Sequence, residues 1–235
     1  MGSKKTIAIV VLSILLLISS IGFIVTLKNK NKVQIKTKVK EVYVEKQREE
    51  IEKTENIVFF GDSITELYPI EDIYGNLPVV RSGVSGFKTQ DLLDRMDSML
   101  YHYNPTKVIL LIGINDFMPD KSEENQQYII KNIKKIISEI KKHRPKAKVY
   151  LESIYPINYK MWKQSSEESD NETIKHLNEQ LLEYAKKNDV VFINMFDELI
   201  DEEGKLNEKY TNDGLHPNTM GYAKITRVLV PYIYE

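Results

Sequence analysis

Ser63 stands far along the chain from Asp213 and His216, yet their two short blocks could serve one reaction: Gly61-Asp62-Ser63-Ile64 and Asp213-Gly214-Leu215-His216. A serine hydroxyl is a poor nucleophile until a neighbouring imidazole accepts its proton during attack on a carbonyl. The three-residue offset of His216 from Asp213 lets a carboxylate lie beside the imidazole in one tight turn, fixing its tautomer and stabilising the imidazolium. Between these blocks stand Gly86 and Gly113-Ile114-Asn115-Asp116. A glycine lets backbone approach a ligand closely, and an asparagine carries a side-chain amide, so both can donate to a developing oxyanion.

Each block also has an ordinary structural reading. Asp62-Ser63 after a strand fits a helix N-cap, Gly83 and Gly86 fit turns, Asn115-Asp116 fits a loop that starts a helix, and His216 before Pro217 fits a surface turn. Asp62 and Asp116 are expected to bond loop N–H groups and hold Ser63 and Asn115 in place rather than to react. His143 and His176 follow Glu139 and Glu172 by four residues on expected helix faces, the spacing of exposed pairs, while His102 has no such partner. No histidine pair has metal-ligand spacing and the acids are scattered, so neither a metal nor a cofactor is expected.

The elements that must bring these blocks together alternate. Compact apolar runs at Ile57–Phe60, Val79–Arg81, Val108–Ile112, Val149–Ile154 and Val190–Ile193 read as buried strands. Amphipathic helical stretches separate them at Thr89–Tyr103, Glu123–Lys142 and Glu172–Lys187, and Thr219–Ile233 closes the chain. The clearest helix puts Ile129, Ile130, Ile133, Ile136, Ile137 and Ile140 on one face and ends before Pro145. Strands alternating with helices imply an α/β fold with a parallel sheet covered on both faces. In such sheets ligands bind beyond the carboxyl ends of the strands, where Ser63, Gly86 and Asn115 fall; Asp213 and His216 lie in a loop that can return to that edge.

These blocks, in this order, resemble the SGNH or GDSL family of esterases and acylhydrolases, and the resemblance covers residues from Asn56 to Glu235. It implies a three-layer α/β/α sandwich with a five-stranded parallel sheet. It implies Ser63 as nucleophile with Asp213 and His216 completing the triad, and the backbone N–H groups of Ser63 and Gly86 with the Asn115 amide as the oxyanion hole. The first block reads Gly-Asp-Ser-Ile-Thr instead of the eponymous GDSL. Arg81-Ser82-Gly83 stands where many members carry an asparagine, which leaves the support of that loop open. Gly86 is chosen over Gly83 because it belongs to a Ser-Gly pair shortly before Thr89.

The N-terminus has a different character. Residues Thr6 to Leu27 form 22 residues without a charge, flanked by Lys4, Lys5 and Lys28. At about 1.5 Å per residue such a segment spans a hydrocarbon core of roughly 30 Å. Residues 1–27 are therefore expected to be a transmembrane anchor. A cleaved signal peptide is the rival, but its apolar region is usually shorter and Ser19-Ser20-Ile21-Gly22 is a poor cleavage site. Residues 28–55, rich in Lys, Glu and Gln, are expected to be a solvated stalk, and residues 56–235 the hydrolase domain. Six lysines and no acid lie between Lys28 and Lys40, which by the positive-inside rule would keep the domain in the cytoplasm. The expectation is nonetheless a cell-membrane protein with its catalytic domain outside, since large domains translocate despite flanking charge.

Composition narrows the partners. The 235 residues carry a formal net charge of −1, but Met1 to Glu55 hold 11 Lys/Arg against 6 Asp/Glu, leaving 22 against 28 for the remainder. A mildly acidic domain has no electrostatic footprint for nucleic acid. The absence of cysteine excludes a thiol nucleophile and a disulfide framework. Phe87, Phe117 and Trp162 adjoin the blocks or lie in the long loop Tyr155–Asn171, and are candidates to contact substrate. Without a large apolar lid, short acyl esters are expected, acetyl groups on cell-surface carbohydrate foremost. An O-acyltransferase using the same acyl-enzyme and a non-catalytic glycan-binding module are the alternatives.

Overall fold

The computed structural model describes residues 56–75, 77–162, 167 and 169–235. The expected anchor and stalk lie outside the described residues, among which no helix is long and apolar enough to cross a membrane.

Five strands form one parallel sheet in the order β2-β1-β3-β4-β5, with β1 Ile57–Gly61, β2 Val79–Gly83, β3 Lys107–Leu111, β4 Lys148–Glu152 and β5 Val191–Ile193. Both central strands are buried along their length, which explains why they read as continuous apolar runs rather than alternating ones. Alternate side chains feed two cores. Val58, Phe60, Val108, Leu110, Val149 and Leu151 pack with the isoleucines of α6 (Glu123–His143) and with Ile174, Leu177 and Leu181 of α7 (Ser169–Lys187). Ile57, Phe59, Ile109, Leu111 and Tyr150 pack on the other side with Tyr68, Tyr74 and Tyr222, Ile225 and Leu229 of α9 (Thr219–Ile233). The result is the three-layer α/β/α sandwich.

Helix α6 starts at a Ser122 side chain that accepts from the Asn125 N–H, carries Glu123 and Glu124 in its first turn and Lys141, Lys142 and His143 in its last, each charge complementing the helix dipole. The single helix expected over Thr89–Tyr103 is instead α3 (Thr89–Asp94), α4 (Met96–Met99) and a 3₁₀ turn at Tyr101–Tyr103. The break falls at Arg95, whose backbone leaves the helical region at φ −122, ψ 16. Its guanidinium lies over the Phe87 ring, 4.8 Å from the centroid, and bonds the Asp91 carbonyl oxygen, a tertiary preference that periodicity does not encode. Three short helices had no signal in the hydrophobic pattern: α1 (Ser63–Glu66), α2 (Ile70–Tyr74) and α5 (Ile114–Phe117), joined later by α8 (Met195–Leu199).

The chain steps from β1 outward to β2 and then across to β3 on the other side of β1. This reversal opens a crevice beyond the carboxyl ends of β1 and β3, the position where such sheets hold ligands. Ser63 follows β1 and Asn115 follows β3.

Candidate active site

The turn after β1 is capped by Asp62, not by Ser63. Asp62 Oδ1 accepts from the Ile64 N–H at 3.0 Å, and Glu66 N–H closes the turn on the Asp62 carbonyl oxygen. Ser63 is thus the first residue of α1, where an N–H has no intrahelical acceptor. Its Oγ lies 3.0 Å from His216 Nε2.

The His216 loop is organised from within. His216 Nδ1 lies 2.7 Å from Asp213 Oδ2, while Asp213 Oδ1 accepts from the Leu215 and His216 N–H groups at 2.8 Å each. Burial, the largest influence on the Asp213 carboxyl, pushes it up; the bonds from the His216 ring and these two N–H groups outweigh that and hold it below its ordinary value. Thr211, buried to 2% exposure, accepts from the Gly214 N–H at 2.9 Å and donates to the His216 carbonyl oxygen at 2.9 Å. An antiparallel bridge between Thr211 and Pro217 closes the loop at its base.

The loop after β4 fixes the far side. Its buried backbone is satisfied by asparagine side chains: Asn178 pairs with the N–H and carbonyl of Ile154, and Asn171 with those of Ile157. Asn158 N–H donates to the Gly214 carbonyl oxygen at 2.8 Å. Gly214 has φ +93, and a β-carbon there would stand 2.7 Å from both the Asn158 carbonyl oxygen and the Trp162 nitrogen. Only glycine fits this approach. The Trp162 ring meets the His216 ring edge-on, centroids 6.1 Å apart.

The loop after β2 owes its support to a residue that local sequence does not flag. The Glu66 carboxylate accepts from the Ser85 N–H at 2.8 Å and from the Ser85 hydroxyl, and Arg81 donates to the Glu66 carbonyl oxygen at 2.8 Å. These bonds support the loop without an asparagine at its start. Gly83 is held by packing, since a β-carbon would collide with the backbone of Asp62 and Glu66. Gly86 has open space around it and φ +79, and among the described residues no acceptor takes its N–H. The next carbonyl oxygen, that of Phe87, accepts from Asn115 Nδ2 at 3.0 Å. The amide has a second hydrogen, so this bond orients Asn115 without exhausting it. Asp116 anchors the same region: it accepts from the Thr89 N–H at 2.9 Å and hydroxyl at 2.7 Å, and burial raises its carboxyl above the ordinary value against these bonds.

The structure therefore brings Ser63, His216 and Asp213 into one hydrogen-bonded chain and ties the Gly86 loop to Asn115. Among the aromatic candidates the outcome differs. Trp162 borders His216, and Phe87 packs half-buried beneath Arg95. Phe117 is wholly buried in the core, at 0% exposure, and so has no surface to offer a substrate. It lies on the inward side of α5, which residue spacing from Asn115 did not reveal. His143 does meet Glu139, at 3.4 Å, whereas His176 pairs with Glu179 at 3.5 Å and not with Glu172. Among the described residues no cluster of metal-ligating side chains is present.

Comparison with known proteins agrees with this architecture. Residues 59–224 match the GDSL-like lipase/acylhydrolase family. A structure from Streptococcus pneumonia, described as that of a platelet activating factor, is 31% identical and covers 86% of this chain and 99% of its own, with a TM-score of 0.70. A GDSL-like lipase from Bacteroides thetaiotaomicron is 27% identical over 77% of this chain and 89% of its own, TM-score 0.68. An acetyl xylan esterase, AlAXEase, is 23% identical over 76% of this chain and 99% of its own, TM-score 0.64, a likeness of fold. The N-acylneuraminate cytidylyltransferase of Escherichia coli O18:K1:H7 is 28% identical over 203 residues, 83% of this chain but 44% of that protein, so the chain spans less than half of this relative's length. The chain belongs to the GDSL-like lipase/acylhydrolase family and is a carboxylic ester hydrolase.

Proposed function

We propose that the enzyme cleaves short acyl esters, acetyl esters first among them, through an acyl-enzyme on Ser63. His216 Nε2 takes the Ser63 proton as Oγ attacks the ester carbonyl, and Asp213 stabilises the resulting imidazolium. The Ser63 and Gly86 N–H groups and Asn115 Nδ2 receive the negative charge on the carbonyl oxygen. His216 returns its proton to the departing alcohol; water, deprotonated by the same ring, then releases the acid. The observation that carries this reading is the continuous path from Ser63 Oγ through His216 to Asp213, with contacts of 3.0 and 2.7 Å.

Carbohydrate-borne acetyl groups are the proposed natural substrate, with Trp162 and Phe87 as contacts. Support comes from Trp162, whose ring meets the His216 ring edge-on, and from the acetyl xylan esterase that shares the fold. The uncharged stretch Thr6–Leu27 supports a membrane anchor, with residues 28–55 as a stalk, and the domain is proposed to lie outside the cell. Epitope tagging read from outside intact cells tests that placement: an inaccessible C-terminal tag would sink it.

An ester panel on the full-length chain tests the chemistry. Acetyl esters should turn over faster than long-chain esters, a fluorophosphonate should label Ser63, and Ser63→Ala and His216→Ala should abolish both. Hydrolysis surviving in Ser63→Ala would overturn the proposal.

A further inference from the structure

Two acids that the proposed chemistry does not use are buried beside the nucleophile. Asp62, at 0% exposure, caps α1 through Oδ1, but its Oδ2 is buried without a hydrogen-bond partner. Glu152 ends β4, two strands away, at 5% exposure, and its Oε2 accepts from the Tyr155 hydroxyl at 2.5 Å. Neither carboxyl is bonded to a cation among the described residues.

The surroundings compound this. Asp62 acts on Tyr222 and feels the acid Asp116, while Glu152 feels Asp62 and acts on the tyrosines Tyr68, Tyr74 and Tyr155. Arg81, which acts on the neighbouring Tyr222, is turned to Glu71 and the Glu66 carbonyl oxygen. A carboxylate taken from water requires several donors or a counterion, and Asp62 has one backbone N–H. A neutral carboxylic acid needs far less. It keeps an oxygen for the Ile64 N–H, and leaving Oδ2 without a partner costs a neutral hydroxyl far less than it costs a carboxylate oxygen.

We propose that Asp62 positions Ser63 as a neutral carboxylic acid, with buried Glu152 neutral two strands away, so that the nucleophile turn is capped without a negative charge beneath the oxyanion hole. The inference rests on the reading of Ser63 as nucleophile. Charge on Asp62 would lie one residue from the place where the attacked carbonyl oxygen becomes negative, and would oppose that transition state. Asp62 is thus a positioning residue whose protonation state matters.

Burial is the main cause that pushes both carboxyls up, from 3.8 and 4.5 to about 7 in each case. The folded protein then keeps protons that the unfolded chain releases between about 4 and about 7, so these groups make stability fall as pH rises across that window.

The test compares the full-length chain with Asp62→Asn, and separately with Glu152→Gln, by thermal unfolding and by the rate of fluorophosphonate labelling of Ser63 from pH ~5 to ~8. The amide keeps the cap and cannot ionise. Its Tm relative to wild type should climb with pH, by roughly 5–10 °C over that range. Labelling of Asp62→Asn should stay within about threefold of wild type at the acid end, and its ratio to wild type should rise toward the alkaline end, the dependence on His216 being common to both. A Tm difference that does not change with pH, or labelling lost by more than about 100-fold in a folded Asp62→Asn, would overturn the proposal. Should either variant fail to fold, carbon-13 titration of wild-type aspartates decides: one carboxyl titrating near 7 is expected, and titration of all of them below about 5 would refute it. If wild-type Ser63 does not label at any pH, the nucleophile reading fails by itself, and the Tm series still decides the charge of Asp62.

Discussion

Ser63 holds its place through Asp62 and the backbone of α1, whereas its hydroxyl hydrogen-bonds, among the described residues, to His216 alone. Replacing it by alanine should therefore leave Tm within about 2 °C of wild type while kcat/KM for acetyl esters falls by at least about 10⁴-fold. Asp213→Asn should cost about 10⁴-fold, because an amide on Nδ1 favours the wrong tautomer; the backbone bonds to Oδ1 survive, so the loop stays folded. Asn115→Ala should lower kcat by roughly 10²–10³-fold with KM little changed, as expected of a donor needed in the transition state. A larger effect of Asn115→Ala on KM than on kcat would remove it from the oxyanion hole.

Among the elements, the two loops that carry His216 and Gly86 depend on residues that touch no substrate. Gly214→Ala should destabilise the protein by about 2–4 kcal/mol, since the new methyl must displace the Asn158–Trp162 backbone from a residue already at φ +93. Chemical denaturation measures that loss, and activity should fall with it because the same loop holds the imidazole. Thr211→Val keeps the volume but removes the bonds to the Gly214 N–H and the His216 carbonyl oxygen, and should cost about 1–3 kcal/mol. A variant as stable as wild type would show that Thr211 merely fills space.

At the scale of the whole molecule, opposing acids shape the response to pH. Asp213 and Asp201 sit below their ordinary values: burial raises both, but hydrogen bonds from the His216 ring and from Lys205, respectively, with neighbouring N–H groups, prevail. Their stabilisation is complete above the unfolded carboxylate range and is lost as pH falls through the folded value. Asp62 and Glu152 act with the opposite sign, because burial raises both to about 7. Denaturation across pH should consequently show greatest stability near pH 5, with loss toward neutrality; a maximum at or above about pH 8 would contradict this balance. In the core, Ile133→Ala on α6 should cost about 2–5 kcal/mol, because this side chain is wholly buried between α6 and the sheet.

The alternation of strands and helices, the parallel sheet and the chemical blocks at its strand ends are all legible in the residues. Val, Ile and Leu runs state their burial directly, and the isoleucine stripe of α6 repeats at the helical period. What lies opposite what emerges with the folded chain. Four-residue helices such as α1 and α5 are too short for a hydrophobic period, and they form because Asp62 caps one and the Gly113 turn opens the other. The helix expected after Gly86 breaks at Arg95 for the sake of a ring beneath it, and Phe117 is buried rather than offered to substrate. Glu66, Thr211 and Asn158 hold the site through partners brought near by folding, and a bond between residues distant in the chain leaves no mark in local spacing. The neutral state proposed for Asp62 has the same origin: an aspartate beside a serine reads as a cap, and only burial without a counterion gives it a reason to keep its proton.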